Sequence, residues 1–163
     1  AVRAIDIKAQ HPRIEQKDFF DLKPKCCYDA VVLSMVLNCV SSPLKRGRML
    51  SLVREHLLPG GHLFLMIPRR CIENSPYCSF NVISEALSIV GLKVVETKLS
   101  PKVAFFCAQR VCASHADSDG DKAAKVKLMK RFADPPRPLV RNAEGMNDDF
   151  AVCFEPTGRR SSQ

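Results

Sequence analysis

Tyr28-Asp29-Ala30-Val31-Val32-Leu33-Ser34-Met35-Val36-Leu37 is nearly continuous apolar sequence, the pattern expected of a central parallel strand buried on both faces. Ser41-Ser42-Pro43 follows, a serine cap with proline in the first turn, and apolar residues then recur at Leu44, Met49, Leu50, Val53, Leu57 and Leu58 with helical spacing. Pro59-Gly60-Gly61 stops that helix, and His62 to Pro68 reads as the next strand. Strand, helix and strand in this order are the unit of a mostly parallel sheet with helices on both faces.

The same alternation extends outward. Upstream, Val2 to Ile7 is a short β-branched run, His11-Pro12 breaks the chain, and Ile14 to Lys17 forms a second short strand. Downstream, Phe80 to Val90 reads as a helix closed by Gly91. Leu92 to Lys98 and Lys102 to Val111 read as strands joined at the Ser100-Pro101 bend. Residues 1–111 are thus expected to form an α/β core. Residues 112–148 change to Ser, Asp, Gly and Pro-rich sequence around a short helical stretch at Lys122 to Phe132, and read as a polar, mobile insertion. Residues 149–155 return as a final sheet strand, and residues 156–163 read as a disordered tail.

A chain of 163 residues with 46% apolar content suits one domain with a real core. Its apolar runs, Leu63 to Pro68 among them, are strand-sized and far short of the roughly 18 residues that a membrane span needs. The chain begins Ala-Val-Arg, without a basic-then-apolar leader. Eight cysteines at irregular spacing, with Cys39 and Cys107 inside apolar runs, read as reduced intracellular thiols rather than a disulfide framework.

Charge is concentrated in the core. Residues 1–111 hold 16 Lys+Arg against 9 Asp+Glu, a balance of +7, whereas residues 112–163 hold 9 against 8. Lys45, Arg46 and Arg48 cluster before an apolar segment and Arg69-Arg70 follow another. Such groups suit phosphate contacts to a polyanion, or simply a solvated basic face.

In doubly wound sheets ligands sit beyond the carboxyl ends of the strands, so the residues just past each strand carry the chemistry. Asp6 closes the first strand, where a carboxylate accepts hydrogen bonds from ribose hydroxyls. Asp18-Phe19 follows the second, where a carboxylate suits an exocyclic amine and a ring suits a purine face. Each Asp also reads as a cap or turn residue. Ser34 lies on the same rim with Asn38 beyond it, and both read equally as helix-start or turn groups. Pro68, with Asn74, Ser75 and Tyr77 behind it, lines the rim after the next strand. There is no Gly-x-Ser-x-Gly elbow, phosphate-binding loop or His-Glu-x-x-His pair. Cys26-Cys27 is adjacent, Cys71 and Cys78 are too far apart for a zinc knuckle, and His11, His56, His62 and His115 are scattered, so no metal site is expected. Tyr28 and Tyr77 read as packing groups.

Several short motifs occur in a characteristic order: Ile5-Asp6-Ile7 with Gln10-His11-Pro12, Gln16-Lys17-Asp18-Phe19, Leu33 to Asn38 with Arg46-Gly47 and Met49-Leu50, Leu65 to Pro68 with Cys71, Asn74-Ser75 and Tyr77, and Asn147 to Val152. This series resembles the large-subunit ribosomal RNA adenine-N(1) methyltransferases over most of residues 2–111 and the last strand. The resemblance implies a Rossmann-like class I methyltransferase fold that uses S-adenosyl-L-methionine, with the family's first strand and glycine-rich turn expected before residue 1. It implies that Asp6 and Ile7 hold the ribose side of the cofactor, Asp18 and Phe19 the adenine, and Ser34 the rim. Asn38, Pro68 and Arg69 are then the candidates for the target base and RNA backbone, with ribosomal RNA as partner, a nucleolar or nuclear setting, and no membrane. No catalytic residue is assigned, because adenine N1 carries its own lone pair and needs no strong base. The animal relative of the family implies an alternative, a cofactor sensor that regulates TOR signalling through a protein complex without catalysis.

Overall fold

Ser42 and Ser79 start the two long helices, each hydroxyl accepting a backbone N–H three residues ahead, from Lys45 at 3.4 Å and Val82 at 3.2 Å. In this computed structural model, residues 1–23, 28–111, 129–133, 135–136, 138–139 and 148–155 are described. The elements are β1 (Ile5–Asp6), β2 (Glu15–Gln16), β3 (Tyr28–Ser34), α1 (Pro43–His56), β4 (Leu57–Pro68), α2 (Arg69–Glu73), α3 (Phe80–Ile89), β5 (Leu92–Leu99) and β6 (Val103–Arg110). Cys26-Cys27, His115, Asn147, most of the 112–148 segment and the tail lie outside the described residues.

The strands form two sheets among the described residues. β1 and β2 pair in parallel by themselves, and β3, β4, β6 and β5 form a four-stranded sheet in that order. β3 and β4 are parallel, whereas β6 runs antiparallel to both β4 and β5. The expected hairpin at Ser100-Pro101 is therefore present, and the sheet is mixed rather than mostly parallel.

The expected placement of β3 needs correction. It is an edge strand of its sheet, and Asp29, Ala30, Val32 and Ser34 are exposed while Leu33 is buried. Its neighbours explain this. Leu33, Leu65 and Phe106 share one row of the register, and all three are buried; Val32, Phe64 and Cys107 share the row on the opposite face, and none is. Met49, Leu50 and Val53 of α1, Ile72 of α2 and Val82, Ile83 and Leu87 of α3 join the first row in one core. The described helices thus cover one face of the sheet, not both. Each fully buried leucine of that core contributes about 1.5–3 kcal/mol relative to an exposed one.

Helix α1 stops at His56, short of the expected Leu57 and Leu58, because Leu57 already pairs with Tyr28. Pro59-Gly60-Gly61 is absorbed as a bulge before Ala30 pairs with His62. Gly60 takes φ +80°, and a Cβ on Gly61 would sit 3.0 Å from the Asp29 carbonyl, so both glycines are required there.

Residues 149–155 join neither sheet, against expectation. The segment lies over α1 and α2 instead: the Cys153 N–H donates to Pro43 O, the Asp148 N–H to Asn74 O, and the Ser75 hydroxyl donates to Phe150 O at 2.7 Å. Phe150, Ala151, Val152, Cys153 and Phe154 are all buried. The alternation Phe-Ala-Val-Cys-Phe suited a strand, but Phe150, Val152 and Phe154 join the core on its helical side.

Candidate functional site

Asp6 and Asp18 emerge side by side at the carboxyl ends of a parallel pair. Ile5 pairs with Glu15 and Asp6 with Gln16, and the Lys17 N–H donates to the Asp6 carbonyl at 2.9 Å. Each carboxylate uses one oxygen locally. Asp6 Oδ1 accepts the Lys8 N–H at 2.7 Å, and Asp18 Oδ1 accepts the Phe20 N–H at 2.9 Å as the cap of a 3-10 turn over Phe19–Asp21. Each is therefore a turn or cap residue, and each keeps a second oxygen without a protein partner among the described residues. Ile7 is 65% exposed beside them. Two fixed acceptor oxygens and an open apolar side chain at the ends of parallel strands fit the nucleoside end of S-adenosylmethionine, whose ribose hydroxyls and adenine amine are donors.

Phe19 follows Asp18 in the same 3-10 turn. Its ring is half-buried and packs against the core, 5.6 Å from the His56 ring at the end of α1. It ties the β1–β2 unit to the larger sheet, as does Phe20, which lies under the Arg48 guanidinium at 5.6 Å. His56 itself is 3% exposed, and its Nε2 has no hydrogen-bond partner among the described residues. Burial pushes its pKa down.

A second group gathers at the carboxyl ends of β3 and β4. Ser34 is exposed opposite Met66, and the chain then turns through Met35, which has φ 56° and donates its N–H to the Met66 carbonyl at 3.1 Å. A left-handed methionine is uncommon and strained, and such positions concentrate where a site demands a particular turn. The turn leads into a single 3-10 turn over Leu37–Cys39 that carries Asn38. Asn38 Oδ1 is screened from solvent and has no partner among the described residues, while its Nδ2 lies 3.6 Å from Cys39 Sγ. Pro68 and Arg69 stand at the end of β4, where the Arg69 N–H donates to the Lys102 carbonyl at 2.9 Å.

The basic residues divide in an unexpected way. Arg46 is 6% exposed and is part of the interior, not of a polyanion-binding surface. Arg69 Nε is committed to Glu73 Oε1 at 2.6 Å, an i,i+4 pair along α2. Among the described residues, Arg70 and Lys102 have no acidic partner within ion-pair distance. Lys102 went unremarked in the sequence because its position beside Arg69, one residue past the Pro68–Val103 pair, depends on the β4–β6 register. Buried thiols supply no nucleophile or base: desolvation pushes Cys71 up to about 11 and Cys78 up to about 12.

The fold and the rim define the class, a methyltransferase-type α/β fold. A solved 1,6-didemethyltoxoflavin-N1-methyltransferase from Burkholderia thailandensis, crystallised with its substrate and S-adenosylhomocysteine, aligns with a TM-score of 0.57 at 13% identity over 68% of this chain and 61% of that one. Residues 1–134 match the family described as Bmt2, 25S rRNA (adenine(2142)-N(1))-methyltransferase, and the chain belongs to that family. The 25S rRNA (adenine(2142)-N(1))-methyltransferase of Saccharomyces cerevisiae is 30% identical over 80 residues, covering 49% of this chain and 23% of the yeast protein. The 25S rRNA adenine-N(1) methyltransferase of Schizosaccharomyces pombe is 28% identical over 127 residues, 74% of this chain and 47% of that protein. The chain thus spans less than half the length of either relative.

Proposed function

We propose that the chain binds S-adenosyl-L-methionine and serves methyl transfer to N1 of an adenine in large-subunit ribosomal RNA. The family match over residues 1–134 carries this reading, and the paired carboxylates of Asp6 and Asp18 support it. When bound, the cofactor supplies an electrophilic methyl group on a sulfonium sulfur. The protein's task is then orientation and exclusion of water rather than proton abstraction, since adenine N1 presents a free lone pair. In this reading Asp6 and Ile7 hold the ribose side, Asp18 the adenine amine, and Ser34 closes the rim. Asn38 holds the target base after its amide turns outward from the position in which Oδ1 is screened. In this reading the protein takes part in ribosome biogenesis, and the nucleolus is its expected location. The sensor alternative has no observation in its favour.

Isothermal titration of S-adenosylmethionine into the 163-residue chain and into Asp6→Asn tests the reading. Binding by the parent and a drop of about tenfold or more in the variant are expected, the loss of a hydrogen bond to a charged acceptor. Absence of binding both by the parent and by a chain extended upstream through the expected first strand and glycine-rich turn would remove the cofactor assignment. Equal binding by both would remove Asp6 from the ribose.

A further inference from the structure

A cleft of about 410 Å³ opens beyond the carboxyl end of β4, between α2 and the turn that joins β5 to β6. Pro68 and Pro101 line it together with Arg69, Arg70 and Lys102. The turn that carries Lys102 is fixed from both sides. The Ser100 hydroxyl accepts the Val103 N–H at 2.9 Å, the Ser100 N–H donates to the Val103 carbonyl at 2.8 Å, and the Arg69 N–H holds the Lys102 carbonyl at 2.9 Å. Two cations from different elements are thereby held at one opening.

The charge there is not neutralised. Arg69 is taken by Glu73 at 2.6 Å. Asp148 approaches Cys71 beside Arg70, but its Oδ1 accepts the Phe150 N–H at 3.0 Å, and it makes no ion pair with Arg70. Arg70 and Lys102 are both exposed and have no acidic partner among the described residues. Inorganic phosphate alone would leave most of this volume to water, whereas a nucleotide unit fills it, and the two prolines offer apolar faces to its sugar or base.

We propose that this cleft seats a backbone phosphate of the RNA substrate, with Arg70 and Lys102 as its two donors. The proposal rests on the reading that the chain acts on RNA, and it assigns the strand a path at the same strand ends as Ser34 and Asn38. Arg69, the residue that sequence alone points to, has the lesser part, because its guanidinium is already engaged.

The test is fluorescence anisotropy of a labelled oligoadenylate of about twelve nucleotides, titrated with the full chain across a range of NaCl concentrations. Arg70→Ala and Lys102→Ala are each expected to weaken binding several-fold near 0.1 M salt and to flatten the log Kd against log salt slope by about 0.7. Lys102→Arg keeps the parent slope. Lys93→Ala removes the same charge at the opposite end of β5 and is expected to leave the slope unchanged. Circular dichroism checks that each variant is folded, as exposure of both side chains predicts. If the parent binds RNA and the cleft variants behave like Lys93→Ala, the cleft is not the phosphate site, while the RNA reading stands. If the parent does not bind RNA at all, the RNA reading itself falls and takes the proposal with it. If adenosine 5′-monophosphate displaces the strand as effectively as unlabelled oligoadenylate, the cleft takes a free nucleotide phosphate, and the backbone assignment is overturned.

Discussion

Arg46 Nη1 donates a hydrogen bond of 2.9 Å to the carbonyl of Ala151, 105 residues further along the chain, and Nε donates another of 2.8 Å to the carbonyl of Val40. The guanidinium also lies 4.5 Å from the centre of the Phe150 ring. Burial pushes its pKa below the ordinary arginine value, and the charge of Asp149 partly opposes that shift. The planar fork bridges the turn after β3 and the 148–155 segment, which no strand pairing holds in place. Arg46→Ala leaves both carbonyls without this donor and is expected to destabilise the fold by about 3 kcal/mol. Arg46→Lys recovers only part, because one ammonium cannot reproduce the fork. Urea denaturation of the three proteins measures this. A loss below about 0.5 kcal/mol in the alanine variant would show that the bridge is incidental.

Gly47 sits one residue on, where the same segment crosses α1. A Cβ there would meet the Cys153 carbonyl oxygen at 2.0 Å and Phe154 Cδ1 at 2.9 Å. In an open helix, Gly→Ala gains about 1 kcal/mol of stability. Here the sign is expected to reverse, with Gly47→Ala destabilising by about 3 kcal/mol through overpacking against backbone. Thermal melts read the sign directly, and a raised Tm would mean that residues 148–155 do not pack on α1 in solution.

These two residues mark the boundary of what the sequence made legible. Ser42, Ser79, Pro43 and Gly91 act locally, so both long helices could be read from them nearly residue by residue. The Ser100-Pro101 bend likewise foretold the β5–β6 pairing. Arg46 was misplaced because a charge in a basic cluster looks solvated until the carbonyls it serves, one of them 105 residues away, are brought to it. The exposed outer face of β3 escaped notice for a similar reason, since the run from Tyr28 to Leu37 records apolar character and says nothing of which neighbours are present. The placement of Asp6 and Asp18 at the ends of two short strands was legible because the breaks around His11-Pro12 and after Lys17 are local. Lys102 was not, because it reaches the rim only through antiparallel register. The packing of Phe19 on His56 depends on a contact between elements that no local spacing encodes.

Met35 provides a test of the strained turn after β3. Its φ of 56° disfavours any side chain with a Cβ and β-branched ones most. Met35→Gly is expected to be neutral or to stabilise by up to about 1 kcal/mol, since relief of strain competes with the entropy that glycine loses on folding. Met35→Val is expected to destabilise by about 1–2 kcal/mol. Denaturation midpoints of both variants test the opposed signs. Two similar losses would instead assign the effect to the Met35 side chain.

His56 makes stability depend on pH. Its folded pKa lies below the ordinary histidine value of 6.5, with burial as the main cause, the charge of Arg3 adding to it and Glu55 opposing. The unfolded chain therefore binds the proton more readily than the folded one. Stability is complete above the unfolded pKa, declines as pH falls through about 6.5, and levels off below the folded value. The shifted carboxylate Glu15, held down by its hydrogen bond with Arg3, loses its contribution only as pH falls below its ordinary value of 4.5, so it does not share this window. Urea midpoints between about pH 7.5 and about pH 5.5 are expected to fall in the parent and to stay nearly flat in His56→Phe. The phenylalanine retains the ring contact with Phe19 and removes the proton. Equal slopes in the two proteins would assign the pH dependence to other groups.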